Sequence, residues 1–137
     1  MNPVLKRIVD IFMTALVVYK ESRGEPRDAQ LGVAFTVQDR ANEGGWWGND
    51  DLAVATKKWQ FSSITDPNDR QFKNWPSDAD PSWQECLQLA ADVVDGKVLN
   101  PVPGTDSYYD ISIPAPEWAK TGTFIQQIGK IRFYKTR

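Results

Sequence analysis

Val4, Ile8, Ile11, Phe12, Ala15, Leu16 and Tyr19 recur at spacings of three and four, which predicts one apolar stripe along a helix of about four turns. Val9, Met13, Val17 and Val18 widen the stripe, so this helix is expected to be largely buried. The pattern breaks at Glu21-Ser22-Arg23-Gly24-Glu25-Pro26. Gly24 loosens the backbone there, and Pro26 suits the first turn of a second helix running to about Ala41. Two acidic residues, Glu21 and Glu25, therefore sit at a junction between helices.

Gly44-Gly45-Trp46-Trp47-Gly48 reads as a loop, with Asn49 or Asp50 capping a short helix over Leu52 to Thr56. From about Lys57 to Asp80 the chain is polar and rich in turn formers, yet it holds Trp59, Phe61, Ile64, Phe72 and Trp75. That many large apolar anchors predict a long ordered loop of the kind that shapes binding sites, not a linker. Asp80-Pro81 starts a third long helix, with its apolar face expected at Trp83, Leu87, Ala90, Ala91 and Val94 and its end at Gly96.

The last third changes character. Tyr108, Tyr109, Ile111 and Ile113 form a strand-like run, and Phe124 to Ile128 joins Ile131 to Lys135 through Gly129-Lys130, a glycine-first loop typical of a type II′ hairpin. Helices first and a small antiparallel sheet last make an α+β domain, mainly helical, and 137 residues suffice for one such domain and not comfortably for two. No internal repeat interrupts it.

Composition narrows the chemistry. Sixteen Lys plus Arg against eighteen Asp plus Glu leave a formal charge of −2, without the basic excess that attracts nucleic acid. The chain has no His and one Cys, so it lacks the commonest general base, the commonest metal ligand and any internal disulfide. No cofactor or metal is expected, and catalysis would rest on carboxylates, hydroxyls, Lys or Tyr. Lys6 and Arg7 ahead of Ile8, Val9, Ile11, Phe12 and Met13 look like a targeting signal, but Asp10 interrupts the run. The run is also shorter than the roughly 20 residues of a membrane span, and no small-residue cleavage site follows. The expectation is a buried helix, synthesis in the cytoplasm without a secretion signal, and no membrane insertion.

Tyr19-Lys20-Glu21-Ser22-Arg23-Gly24-Glu25-Pro26 resembles the "YGEARGEP" signature of the SleB-like cell-wall hydrolases, the spore cortex-lytic enzyme family, and Gln30-Leu31-Gly32-Val33-Ala34 resembles its "GQ-VA" helix. Further blocks follow in order. Trp59-Gln60-Phe61-Ser62 is similar to the family's "QFS" segment, Asp106-Ser107-Tyr108-Tyr109 to its "ATHYH" strand, Pro116-Glu117-Trp118-Ala119 to its "P-WA", and Ile128-Gly129-Lys130-Ile131-Arg132-Phe133-Tyr134 to its "IGNHRFY" ending. The chain departs from the family at Lys20, where Gly is usual, at Ser22, where Ala is usual, and at Asp110 and Ile131, where His is common.

The resemblance implies a lysozyme-like fold and cleavage of peptidoglycan glycan strands by a monomer, with Glu21 as the catalytic acid of a lytic transglycosylase. Glu21-Ser22 also resembles the Glu-Ser pair of the wider soluble lytic transglycosylases, in which the Ser hydroxyl supports the carboxyl. The residues themselves are compatible with this. A carboxyl group donates a proton to a glycosidic oxygen near neutral pH only if apolar surroundings raise its pKa, and Glu21 follows a strongly apolar helix. Lys20 argues the other way unless its side chain diverges from its neighbour's, by about 100° in a helix.

A conventional glycosidase needs a second carboxylate about 5 to 9.5 Å away, for which Glu25, Asp66 and Asp69 are candidates. A transglycosylase does not, because the C6 hydroxyl of the muramic acid attacks its own C1. Expected substrate contacts are Ser22, Glu25, Gln60, Phe61, Ser62 and one of Tyr108 and Tyr109, which point to opposite faces of a strand. Each also has a plainer reading as a cap, a packed loop residue or a solvated charge. Trp83, Trp118 and Cys86 read as core, whereas Trp46 and Trp47 are equally suited to the rim of a cleft. A hydrolytic muramidase or glucosaminidase on the same fold, and a catalytically inactive glycan-binding module, remain as alternatives. A wall-cleaving enzyme without its own export signal points to a bacteriophage endolysin or virion-borne lysin.

Overall fold

Asn2 opens the first helix, α1 (Pro3–Ser22), by accepting the Val4 N–H at 2.8 Å, and Pro3 occupies a position where no N–H is needed. A computed structural model describes residues 1–58 and 60–137; Trp59, one of the anchors expected in the long loop, lies outside the described residues. The second helix, α2 (Arg27–Glu43), follows Pro26 and ends at Gly44, whose φ of 69° suits glycine. A 3-10 turn (Gly45–Trp47) leads to α3 (Asp51–Thr56), capped by the Asp50 carboxylate on the Ala53 N–H at 2.8 Å. The long loop carries a single helical turn, α4 (Ser62–Thr65). Asp80 caps α5 (Pro81–Val94), and α6 (Glu117–Thr121) lies between the first and second strands.

The expectation of a largely buried α1 holds only for its second half. Thr14 to Lys20 are buried, whereas Val4, Leu5, Ile8 and Phe12 are exposed. For Val4 and Leu5 the reason is length. α5 packs antiparallel to α1 but has 14 residues against 20, and its far end is reached by Arg7, which grips Asp95 through two hydrogen bonds of 2.8 and 2.6 Å. The residues before Arg7 run past that end. Among the described residues no helix is long and apolar enough to cross a membrane.

The buried face of α5 is also rotated from the expected one. Trp83, Cys86, Leu89, Ala90 and Val93 are buried, and Leu87, Ala91 and Val94 are half-buried. Cys86 supplies the small apolar surface that lets the helices approach, and burial pushes its thiol up to about 11, which keeps it inert.

The sheet has strand order β1-β3-β2, with β1 (Ser107–Asp110), β2 (Thr123–Ile128) and β3 (Ile131–Lys135) all antiparallel. The strand expected to extend to Ile113 stops at Asp110. There the Asp110 side chain accepts the Ser112 N–H at 2.8 Å and turns the chain, leaving Ile111 and Ile113 exposed. The expected hairpin forms through Gly129, whose φ is 58°.

Tyr108 pairs with Phe133 on the face toward the helices, and Tyr109 pairs with Arg132 on the outer face, where Tyr109 and Trp118 pack against Tyr134. Phe133 lies so close to α2 that a Cβ on Gly32 would come within 2.6 Å of its ring. The close approach fixes the sheet against the helices at the level of the α1–α2 junction. The result is an α+β fold with a helical core and one small C-terminal sheet.

A buried polar cluster ties α1, α2 and α3 together. Asp51 accepts from the Thr14 hydroxyl at 2.9 Å and from the Gln38 amide, while Asp10, paired with Lys6, lies near enough to repel it. Burial, and then the Asp10 charge, push the Asp51 carboxyl from 3.8 up to about 6. A carboxyl raised on folding favours the native state only while protonated, so its contribution is present below about pH 4 and lost as pH rises through 6. The penalty at neutral pH is on the order of 2–3 kcal/mol. Asp51→Asn keeps an acceptor for Thr14 and is expected to gain stability relative to the parent as pH rises from 4 to 8 in urea titrations. Parallel curves for the two proteins would show that Asp51 carries no such penalty.

Candidate active site

The last turn of α1 delivers Glu21 to the floor of an open groove of about 710 Å³. The chain can turn away directly afterwards because Gly24 takes a φ of 87° and the Gln30 amide caps the Ser22 carbonyl at 3.2 Å. One wall comes from the long loop, with Gln60, Ser62 and residues 68–71. The other comes from the sheet, with Tyr108, Asp110, Lys130 and Ile131. Glu25 joins the two walls at one end, where its carboxylate accepts the Lys130 N–H at 3.2 Å and so pins the hairpin turn to the helix junction.

Glu21 is half-buried, and its Oε1 accepts the Tyr108 hydroxyl at 3.1 Å. Burial raises its pKa above the usual carboxylate range. The Ser63 and Tyr108 hydroxyls and the Arg40 charge oppose that rise, while the Asp69 charge adds to it. Ser63 is fully buried and faces the carboxyl, although its oxygen makes no hydrogen bond of normal length. Tyr108 stays a neutral donor, because burial and the neighbouring Glu21 charge push its phenol well above 10.

Behind Tyr108 lies Arg40, which the sequence did not single out. Its guanidinium is buried, donates to the Asp106 carbonyl at 2.8 Å and to the Gln60 side-chain oxygen at 3.0 Å, and lies over the rings of Trp47 and Phe61 at 4.4 and 5.1 Å. It forms no ion pair among the described residues. Lys20 does not crowd Glu21. It lines the same groove, but its ammonium is held by the carbonyls of Gln71 and Phe72 at 3.0 and 3.1 Å and lies 4.0 Å from the Trp75 ring centroid, so it pins the long loop against α1.

Of the expected site residues, Glu21, Glu25, Gln60, Ser62 and Tyr108 meet in the groove, and the other three do not line it. Ser22 is buried with its hydroxyl donated back to the Val18 carbonyl at 2.9 Å, so Tyr108 occupies the supporting role expected of it. Phe61 is buried beneath the groove, its ring 6.5 Å from that of Tyr108, and Tyr109 faces the opposite side of the sheet.

Trp46 and Trp47 also stay away from the groove. Trp47 is buried and donates to Glu43 at 2.8 Å, and Trp46 is exposed between Lys57 and Arg137. Asp69 lines the groove and Asp66 does not. The departures at Asp110 and Ile131 both fall on the sheet wall, where they replace imidazoles with a carboxylate and an apolar group. Among the described residues no group of three or more Asp, Glu, His or Cys side chains is placed to share a metal ion.

Arg40 did leave a signal in the sequence. Val33, Thr36, Val37 and Arg40 follow one helical face, all buried, and a charge at the end of an apolar face calls for a buried partner. Ser63 left none. A carboxyl with raised pKa, in an open groove and held by a neutral phenol, is equipped to give and take one proton.

Comparisons with known proteins bear on the fold and the family. The solved catalytic domain of SleB from Bacillus anthracis, a germination-specific lytic transglycosylase, superposes with a TM-score of 0.71 at 26% identity, covering 98% of this chain and 99% of that one. The catalytic domain of the Bacillus cereus SleB protein superposes with a TM-score of 0.69 at 26% identity, covering 92% and 89%. The shared fold is the lysozyme-like one. No curated protein sequence matches significantly. The model of the cell wall hydrolase family matches residues 24–134, beginning after Glu21, so the assignment does not lean on that residue. By that match the chain belongs to the cell wall hydrolase family.

Proposed function

We propose that the protein cleaves the β-1,4 bond between N-acetylmuramic acid and N-acetylglucosamine in peptidoglycan as a lytic transglycosylase, with Glu21 as general acid and then general base. The observation that carries this reading is the placement of Glu21: a carboxyl favoured in its protonated form, on the floor of an open groove, with Tyr108 fixing one oxygen. In the first half-reaction Glu21 protonates the leaving glycosidic oxygen as positive charge develops at C1 of the muramic acid. In the second, the resulting carboxylate removes the proton from the C6 hydroxyl, whose oxygen bonds to C1. Proton and electron count close, and Glu21 ends as it began.

Gln60 is arranged for the acetamido group. Arg40 occupies its side-chain oxygen, which leaves the amide N–H groups as what this groove residue offers a ligand. The hydrolytic reading is favoured by a different feature, since Asp69 and Glu25 line the same groove and either carboxylate has the chemistry to activate water. Mass spectrometry of digested peptidoglycan separates the two. Products ending in 1,6-anhydromuramic acid are expected, and reducing ends in their place would establish hydrolysis.

The pH dependence tests the role of Tyr108. Activity requires protonated Glu21 and is expected to fall as pH rises through its raised pKa. The Tyr108 hydrogen bond favours the carboxylate, so Tyr108→Phe is expected to raise that pKa further and move the alkaline limb of kcat/KM to higher pH. A limb that stays in place or moves down would show that the phenol does not hold the reacting carboxyl.

A further inference from the structure

We infer that a second cavity, adjoining the Glu21 groove, is a binding site for the peptide branch of the glycan strand, a short peptide carrying free carboxylates and an amine. The inference rests on the peptidoglycan reading above and extends it from the sugar backbone to the side chain of the polymer.

The cavity holds about 440 Å³ and shares Arg23, Gly24 and Glu25 with the groove, so the two adjoin along that segment. Its size falls in the roughly 300–1,000 Å³ range of small-ligand sites. The floor is apolar, made by Leu89 and Cys86 of α5, and the rim is charged, made by Arg23, Arg27 and Glu85.

These charges are not spent on one another. Among the described residues the Arg27 side chain makes no hydrogen bond, ion pair or ring contact, and the Glu85 side chain makes no hydrogen bond or ion pair. Arg23 lies over the Tyr19 ring at 4.2 Å and donates to the neutral Gln71 side chain at 3.3 Å, so its charge is also uncompensated by a carboxylate in contact.

A rim with guanidinium groups on α2 and the junction, and a carboxylate on the facing helix α5, complements a ligand that bears both signs. The branch of peptidoglycan is such a ligand. It leaves the strand sideways from the lactyl group of each muramic acid, the sugar whose C1 must lie over Glu21. A strand laid along the groove therefore presents its branch to one side of the reacting sugar, and the opening at residues 23–25 is the side where a cavity receives it. Planar, two-pronged pairing with carboxylates is what arginine offers there.

The test uses Arg27→Glu, a substitution at an exposed site in the first turn of α2 and away from Glu21. Two substrates are compared: intact peptidoglycan and the same glycan after an amidase has stripped its peptides. The wild type is expected to cut intact material with the higher kcat/KM, and Arg27→Glu is expected to lose about tenfold on intact material and nothing on stripped strands. Equal losses on both substrates, or none on either, overturn the inference while leaving the glycan-cutting reading in place. Binding of the free tetrapeptide L-Ala-γ-D-Glu-diaminopimelate-D-Ala, followed by NMR, reads the cavity without any catalysis. Shifts confined to residues 23–30 and 82–89, lost in Arg27→Glu, support the site even if no glycan is cut, and absence of shifts at millimolar peptide sinks it.

Discussion

Glu21→Gln is expected to lose wall-clearing activity by a factor of about 10³ or more while still folding and still binding glycan. Gln has the size of Glu and keeps an oxygen to accept the Tyr108 hydroxyl, so the groove is not reshaped. It has no proton to deliver to the leaving oxygen, and neither Asp69 nor Glu25 replaces it, since Ser62 and the Gln71 N–H bond Asp69 and the Lys130 N–H bonds Glu25. Stability should not fall, because the substitution removes a carboxyl whose ionisation burial opposes. Turbidity of a peptidoglycan suspension measures the rate, and co-sedimentation with the same material measures binding. Unchanged clearing would remove Glu21 from the mechanism, and lost clearing with lost binding would reduce it to a structural residue.

Arg40→Met is expected to cost about 2–4 kcal/mol of stability and to shift the pH profile. Met fills a similar length but leaves the Asp106 carbonyl and the Gln60 oxygen without their donor in a buried place. It also removes the positive charge that favours ionised Glu21, so the alkaline limb of kcat/KM should move to higher pH. The rate at the plateau should drop as well, since Gln60 is no longer held. Arg40→Lys, which keeps the charge, should return the limb toward its original position with less of the stability. Denaturant titration and the pH–rate profile read the two effects separately. A destabilised variant with an unmoved limb would leave Arg40 as a purely structural residue.

Glu21 and Arg40 differ in how far the chain itself marks them. Glu21 stands out in the sequence because it ends an apolar helix and opens a motif of unusual composition, and both are local facts. Arg40 shows in the sequence only as a charge ending an apolar helical face, and its role emerges from the fold, because its partners are the carbonyl of Asp106 and the side chain of Gln60, 66 and 20 residues away. The same division runs through the site. Strand alternation requires Tyr108 and Tyr109 to face opposite ways, but the pairing of Tyr108 with Phe133, packed on Gly32, is what selects Tyr108 to meet Glu21. The Glu21-Ser22 pair suggested a supporting hydroxyl next along the chain. Helical geometry sends Ser22 back to the Val18 carbonyl, and the support comes from a strand 87 residues downstream.

The sequence by itself determined the three long helices, the short α3 and the β2–β3 hairpin, but not α4, α6 or the end of β1. Asn2, Asp50, Asp80, Pro81, Gly44 and Gly129 act on backbone groups within a few residues, and such short-range chemistry needs no tertiary partner. Tertiary structure alone decided how far α1 is covered, which face of α5 turns inward, where Lys20 sends its charge and which residues surround the Glu21 carboxyl. Each of these depends on the relative lengths and approach of elements distant in the chain, and on desolvation that exists only once they have packed.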